Sequence, residues 1–154
     1  LKIFAWYYGK KFKSQNYEQY LAYKNKTNLV LYQMIICFII YMVWVTGLKH
    51  LLHLPRPFLR LPEGSVFILD YIKIGENPNA SFPSGHSAFS MMMLVSIWSL
   101  LNKYLKVIGV FLVIWIGISR IVLGVHFPSD VVGSWILSFF ITYLACKVFR
   151  LNYC

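Results

Sequence analysis

Two histidines, one aspartate and three cations interrupt sequence that is otherwise fit for lipid: Lys49, Arg56, His86, Arg120, His126 and Asp130. An ionised side chain at bilayer depth costs roughly 2.5 to 3.5 kcal/mol on insertion scales, so charges embedded in apolar sequence are functional candidates by default. Their types suggest an anion site. Ser84 is a good helix N-cap, and the N–H groups of Ser84, Gly85 and His86 would then point outward at the positive end of a helix dipole. With three cations around it, phosphate is the natural ligand. Two imidazoles beside a phosphate suggest covalent phosphoryl transfer. A neutral ring attacks phosphorus while a protonated one delivers a proton to the leaving oxygen, and an ordinary pKa of about 6.5 allows both forms near neutrality. Asp130 lies four residues after His126, in the first turn of the next helix. It is expected to accept one ring N–H of His126 and leave the other lone pair free, as in a hydrolase triad.

The elements that must position these residues are membrane spans. A composition that is 58% hydrophobic, with a mean hydropathy of +0.60, excludes an ordinary soluble domain. Apolar runs occupy about 28–48, 85–101, 107–123 and 128–148. Each is close to the ~17 to 25 residues a spanning helix needs, and lipid leaves helices as the reading for continuous runs. An all-α, polytopic bundle with four visible spans is therefore expected. The net charge of +10 would suggest nucleic acid in a soluble protein, but the basic residues mostly flank the spans. Lys2, Lys10, Lys11, Lys13, Lys24 and Lys26, then Lys103 and Lys106, then Lys147 and Arg150, read as cytoplasmic by the positive-inside rule. The motif-bearing ends then share the opposite face, which in a bacterial inner membrane is periplasmic. Lys49 and Arg56 run against the charge rule and so call for another job.

One transmembrane domain is expected over 1–154, with 1–26 a basic and aromatic interfacial segment and 49–84 an outer connection carrying part of the site. Within that connection SVFILDYIKI is apolar but too short to span, and the following GENPNASFPSG is dense in turn formers. Pro55 should stop the first helix at or before Leu54. Gly124 suits a helix C-cap, Pro128 a first helical position, and Gly133, Ser134 and Ser138 close helix packing. His50 and His53 read as interfacial polar residues. The cysteines show no metal spacing and read as free thiols.

These residues carry a family resemblance. The chain resembles the type 2 phosphatidic acid phosphatase superfamily, the membrane lipid phosphate phosphatases. Lys49 with Arg56-Pro57, then Pro83-Ser84-Gly85-His86, then Ser119-Arg120 with His126 and Asp130 match its three motifs in order, and the likeness covers about 28–148. The resemblance implies His126 as nucleophile, Asp130 as its orienter and His86 as general acid. It implies phosphoryl-oxygen binding by Lys49, Arg56, Ser84, Gly85 and Arg120, with no metal and no cofactor. Family members commonly have six spans with the motifs on the last four, so two N-terminal spans are expected to be missing here. The expected substrate is a lipid carrying a terminal phosphate or pyrophosphate, such as undecaprenyl pyrophosphate, phosphatidylglycerophosphate, phosphatidic acid or a lipid A phosphate. The bilayer is the expected partner, nucleic acid is not, and the oligomeric state is open. A lipid phosphotransferase and a non-catalytic lipid or anion transporter stand as alternatives.

Overall fold

The computed structural model describes residues 17–62 and 77–148, and every regular element among them is helical. Helix α1 spans Tyr17–Leu52, α2 Pro57–Arg60, α3 Gly85–Ile97, α4 Lys103–Val122 and α5 Pro128–Val148. A 3-10 turn, Trp98–Leu100, continues α3. The stretch SVFILDYIKI and residues 1–16 lie outside the described residues.

Among the described helices α1, α4 and α5 are long and apolar enough to cross a bilayer. The run expected as a fourth span is shorter: α3 has 13 helical residues before its 3-10 turn. At 1.5 Å per residue it rises about 20 Å, less than the ~30 Å of a hydrocarbon core. It nevertheless occupies the centre, packing against α1, α4 and α5. The first helix is longer than the expected 28–48. It takes in residues 17–26, assigned above to an interfacial segment, and it still holds Lys49 and His50 in its last turn. Cations there face the negative end of the helix dipole, where they are favoured.

Local chemistry explains the boundaries. After Leu52, His53 adopts φ 44°, a left-handed conformation in which histidine is enriched among non-glycine residues. Pro55 then keeps Leu54 out of helix, as expected. Pro57 occupies the first position of α2, where its missing N–H costs nothing. Asn102 caps α4 by accepting the Leu105 N–H at 2.9 Å. At the other end of α4, Gly124 has φ 68°. Its N–H donates to Ile121 O at 2.9 Å while the Val125 N–H donates to Arg120 O at 3.3 Å, the paired bonds of a Schellman motif. That turn carries the chain from Arg120 to His126.

The interior combines a small apolar cluster with a polar seam. Cys37, Met92, Ala145 and Cys146 are buried together, with Ile40, Tyr41 and Met93 packed on them. Cys37 is a free thiol, whereas Cys146 is disulfide-bonded, against the expectation. Along the α3–α5 contact, Ser138 Oγ donates to Ala88 O at 2.6 Å. The outer face of α4 instead presents Val107, Phe111, Trp115, Ile118 and Val122, all exposed, as lipid contact requires.

Close approach of α4 and α5 depends on Gly117. A Cβ there would collide with the Trp135 ring at Cζ2 and stand 2.7 Å from Val131 Cγ1. Overpacking of this kind typically costs about 1 to 3 kcal/mol. Gly117→Ala should therefore lower the thermal unfolding midpoint of the detergent-purified protein, and an unchanged midpoint would mean the two helices do not close at that level.

Candidate active site

The predicted site residues lie at the end of α1, the start of α3, the end of α4 and the start of α5, and the buried part of this cluster is assembled around Arg56. This side chain is 1% exposed. Its backbone N–H donates to Pro78 O at 2.9 Å. The guanidinium donates from Nε to Asn77 O at 2.8 Å and from Nη1 to Val125 O at 2.9 Å. Nη1 also stands 3.4 Å from His126 Nε2. One side chain thus joins the loop after α1, the loop before α3 and the turn between α4 and α5. The sequence pointed to a phosphate ligand alone, and the structure adds a structural duty.

His126 is 4% exposed. Burial pushes its pKa below the ordinary histidine value, and the Arg56 and Lys49 charges push it further in the same direction; Asp130 opposes them. The ring is therefore held neutral. Its Nε2 faces a donor on Arg56, which suits a lone pair there and a proton on Nδ1. Nδ1 lies 3.9 Å from Asp130 Oδ2, and Nδ1 is buried without a hydrogen-bond partner. The direct hydrogen bond expected between these residues is not formed at that distance.

Asp130 Oδ2 is already occupied. It accepts the Ser81 hydroxyl at 2.5 Å and the Phe127 N–H at 2.9 Å. Phe127 O receives the N–H of Asp130 at 3.0 Å, so Phe127 is the N-cap of α5 and Asp130 reaches back from the third helical position to its N–H, half of a capping box. The spacing that joins Asp130 to His126 also starts the helix.

Ser84 stands at the N-cap of α3 with an extended backbone and no side-chain capping bond. It is fully buried. Its N–H donates to Ser134 Oγ at 2.7 Å, and its hydroxyl pairs with Ser87 Oγ at 2.9 Å. Of the three amides expected to point outward, that of Ser84 is thus taken by α5. Gly85 N–H remains in the first turn, where a helix supplies no acceptor of its own, and Gly85 O accepts from Tyr41 OH at 3.0 Å.

His86 and Arg120 meet at a groove. His86 is exposed and Arg120 half-buried, and together they line one end of a groove between α3 and α4 with a volume of about 500 Å³. Ser90 and Ser119 lie near that end, and the groove is otherwise apolar, passing Met93, Ile97, Val113 and Ile116 towards Leu101 and Leu105. Arg120 Nε approaches its neighbour Ser119 Oγ at 3.4 Å. Lys49 is half-buried at the end of α1, and its charge is felt at His126.

Two serines that matter here were not singled out for the site by their sequence. Ser81 holds the Asp130 carboxylate, and Ser134 joins the start of α3 to α5, its hydroxyl donating to Asp130 O. Ser134 stood out only as a small residue suited to helix packing. Ser81 carried one signal, its position three residues before Ser84.

Comparison with known proteins adds independent findings. A family model described as the PAP2 superfamily matches residues 20–154. An undecaprenyl-diphosphatase of Sulfolobus acidocaldarius is 24% identical over 148 residues, covering 96% of this chain and 69% of that protein. A lipid A 1-phosphatase of Rhizobium johnstonii is 35% identical over 66 residues, 40% of this chain and 27% of the relative. Phosphatidylglycerophosphatase B of Bacillus subtilis is 31% identical over 85 residues, 49% of this chain and 42% of the relative. A crystal structure of Aquifex aeolicus LpxE shares the fold, with a TM-score of 0.64 and 22% identity over 94% of this chain and 84% of that one.

The Ser134 hydroxyl serves a donor and an acceptor at once. Ser134→Ala leaves the buried Ser84 N–H unsatisfied, a loss of about 1 to 3 kcal/mol. The thermal midpoint should fall accordingly, while Ser129→Ala, at an exposed position on the same helix, leaves it unchanged.

Proposed function

This chain belongs to the PAP2 superfamily, and on that premise we propose that it is a membrane phosphatase that removes a terminal phosphate or pyrophosphate group from a lipid through a phosphohistidine on His126. The observation that carries the lipid reading is the groove between α3 and α4. Its walls are mostly hydrocarbon, and His86 and Arg120 line one end. A chain lying in the groove would bring an anionic headgroup to those two residues.

In this reading the Nε2 lone pair of neutral His126 attacks phosphorus. The N–P bond forms as the P–O bond to the leaving group breaks, and His86 gives the departing oxygen its proton. Water then attacks phosphorus, the N–P bond breaks, and phosphate leaves. Lys49, Arg56, Arg120 and the Gly85 N–H surround the phosphoryl oxygens, while Ser84, buried with its hydroxyl on Ser87, holds the start of α3 in place. Arg56 is best placed, since a group attached to Nε2 falls beside its Nη1. In a loose transition state these donors meet charge spread over the equatorial oxygens. They supply the positive charge that a metal gives in other phosphoryl transfers, so the step as drawn calls for none.

The substrate class follows from the groove and from the relatives, whose names cover undecaprenyl diphosphate, lipid A and phosphatidylglycerophosphate. Phosphatidic acid belongs to the same panel. The site lies on the face opposite the lysines that begin α4 and end α5, Lys103 and Lys147, which the positive-inside rule makes the outer face, periplasmic in an inner membrane.

Phosphate release by the detergent-purified protein across those four lipids tests the reading. His126→Ala should lower release on the order of 10³-fold or more while the protein remains folded; retained turnover would sink the mechanism. Because the folded His126 pKa is depressed below 6.5, its neutral form persists to lower pH, and the acidic limb of kcat/KM should lie below that value. Ile116→Trp, which fills the groove, should raise KM for long-chain lipids severalfold and leave a water-soluble phosphate ester unaffected. Equal effects on both would place the chain elsewhere.

A further inference from the structure

A second pocket, of about 460 Å³, lies where α3, α4 and α5 meet, and the chemistry drawn above does not use it. Its walls are three helical stripes. Leu94 and Trp98 come from α3, Val110 and Ile114 from α4, and Trp135, Phe139 and Tyr143 from α5. A spacing of four residues puts each set on one helix face. Trp98, Val110, Ile114, Phe139 and Tyr143 are exposed. Apolar exposure alone is expected of any surface that meets lipid, but here the surface is concave and two of its stripes end in lysine.

One turn before Val110 stands Lys106, and one turn after Tyr143 stands Lys147. Joined by the short turn at Gly124, α4 and α5 run in opposite directions, so both lysines fall at the same end of the pocket. Lys106 Nζ lies 4.9 Å from the centroid of the Trp98 ring, which holds the ammonium at the rim. The ring face engages one side of it and leaves N–H donors for an anion. Lys147 is exposed, as is Lys103 in the first turn of α4. The sole acidic residue of α3, α4 and α5 is Asp130, in the first turn of α5. From there to Lys147 the helix rises about 26 Å.

We propose that this pocket binds an anionic phospholipid of the leaflet at the lysine end, with one acyl chain against Tyr143, Phe139 and Trp135 and the headgroup phosphate at Lys106 and Lys147. The dimensions agree. From Lys147 back to Trp135 helix α5 rises about 18 Å, close to one leaflet, half of a ~30 Å hydrocarbon core. Trp98 and Tyr143 then stand nearest the headgroup, where amphipathic aromatic rings are favoured. The positive-inside rule makes this the cytoplasmic leaflet, whose anionic lipids attract lysines beside spanning helices. Such a lipid is not a substrate, because its phosphate lies at the opposite end of the helices from His86, Arg120 and His126. The inference therefore does not depend on the phosphatase reading. A lipid wedged among three helices favours their packed arrangement by mass action.

The test uses the full chain, stripped of lipid in detergent. Its probes are dioleoyl phosphatidylglycerol, an anionic phosphodiester without a terminal phosphate, and the zwitterionic dioleoyl phosphatidylcholine. Native mass spectrometry should show one phosphatidylglycerol retained per chain, and the thermal midpoint should rise with its concentration. Phosphatidylcholine should bind about tenfold more weakly, and Lys106→Ala combined with Lys147→Ala should remove that difference. Val110→Trp, which fills the pocket, should lower retention of both lipids, whereas Val107→Trp, at an exposed position outside it, should leave retention unchanged. If Val110→Trp does not fold, the lysine variant alone decides. A preference kept in full by the lysine variant, or equal losses in Val110→Trp and Val107→Trp, overturns the proposal. So does loss of retention in Arg120→Ala, which would put the headgroup at the other end, or a lipid-free dimer that Val110→Trp breaks, which would make the occupant a second copy of the chain.

Discussion

A guanidinium buried to 1% exposure holds together the loops at the end of α1, before α3 and between α4 and α5. Arg56 bonds carbonyls at Asn77 and Val125 while its own backbone N–H bonds Pro78. Burying a charge is tolerable only when its donors are satisfied, so the three loops that meet here are bound to one geometry. That geometry sets His126 Nε2 against Nη1. The same residue therefore fixes these loops and, in the function proposed, meets the transferred phosphoryl group. Lysine could not serve both ends, because it lacks a planar fork of donors.

Around this hub the helices divide their work. α1, α4 and α5 give the length and the lipid-facing surface, and the shorter α3 sits among them. At its first turn Ser84 is fastened to α5 through Ser134. Buried serine bonds from Ser134 and Ser138 run along the α3–α5 contact. In a membrane such bonds add to packing where the hydrophobic effect between helices is weak. The result is a hydrogen-bonded α3–α5 contact and, between α3 and α4, a mainly apolar groove.

Asp130 shows how one residue can serve folding and, in the function proposed, chemistry. Its carboxylate caps the α5 N-terminus through Phe127 N–H and accepts the Ser81 hydroxyl. Those two donors place a negative charge beside His126 without a hydrogen bond to it. The i, i+4 spacing announced that a histidine and an aspartate would be neighbours. It did not reveal that two other donors compete for the same oxygen.

What the sequence determined by itself were the features that depend on local spacing or on the solvent. Lipid forces every backbone group to bond within its own segment, so apolar runs had to be helices. Pro55, Gly124 and Pro128 mark boundaries through backbone sterics, and all three lie where helices end or begin. The motif positions could be read because each falls at such a boundary. Tertiary structure decided the partners. Ser81 finds Asp130 across 49 residues, Ser134 finds Ser84 across 50 and Arg56 finds Val125 across 69. Extension of α1 to Tyr17 and the shortness of α3 were also settled there, since an apolar run sets how much chain lipid accepts and packing sets where the helix stops. Periodicity and propensity act over a few residues. A hydrogen bond between distant loops depends on how helices cross, and no short stretch of sequence contains that.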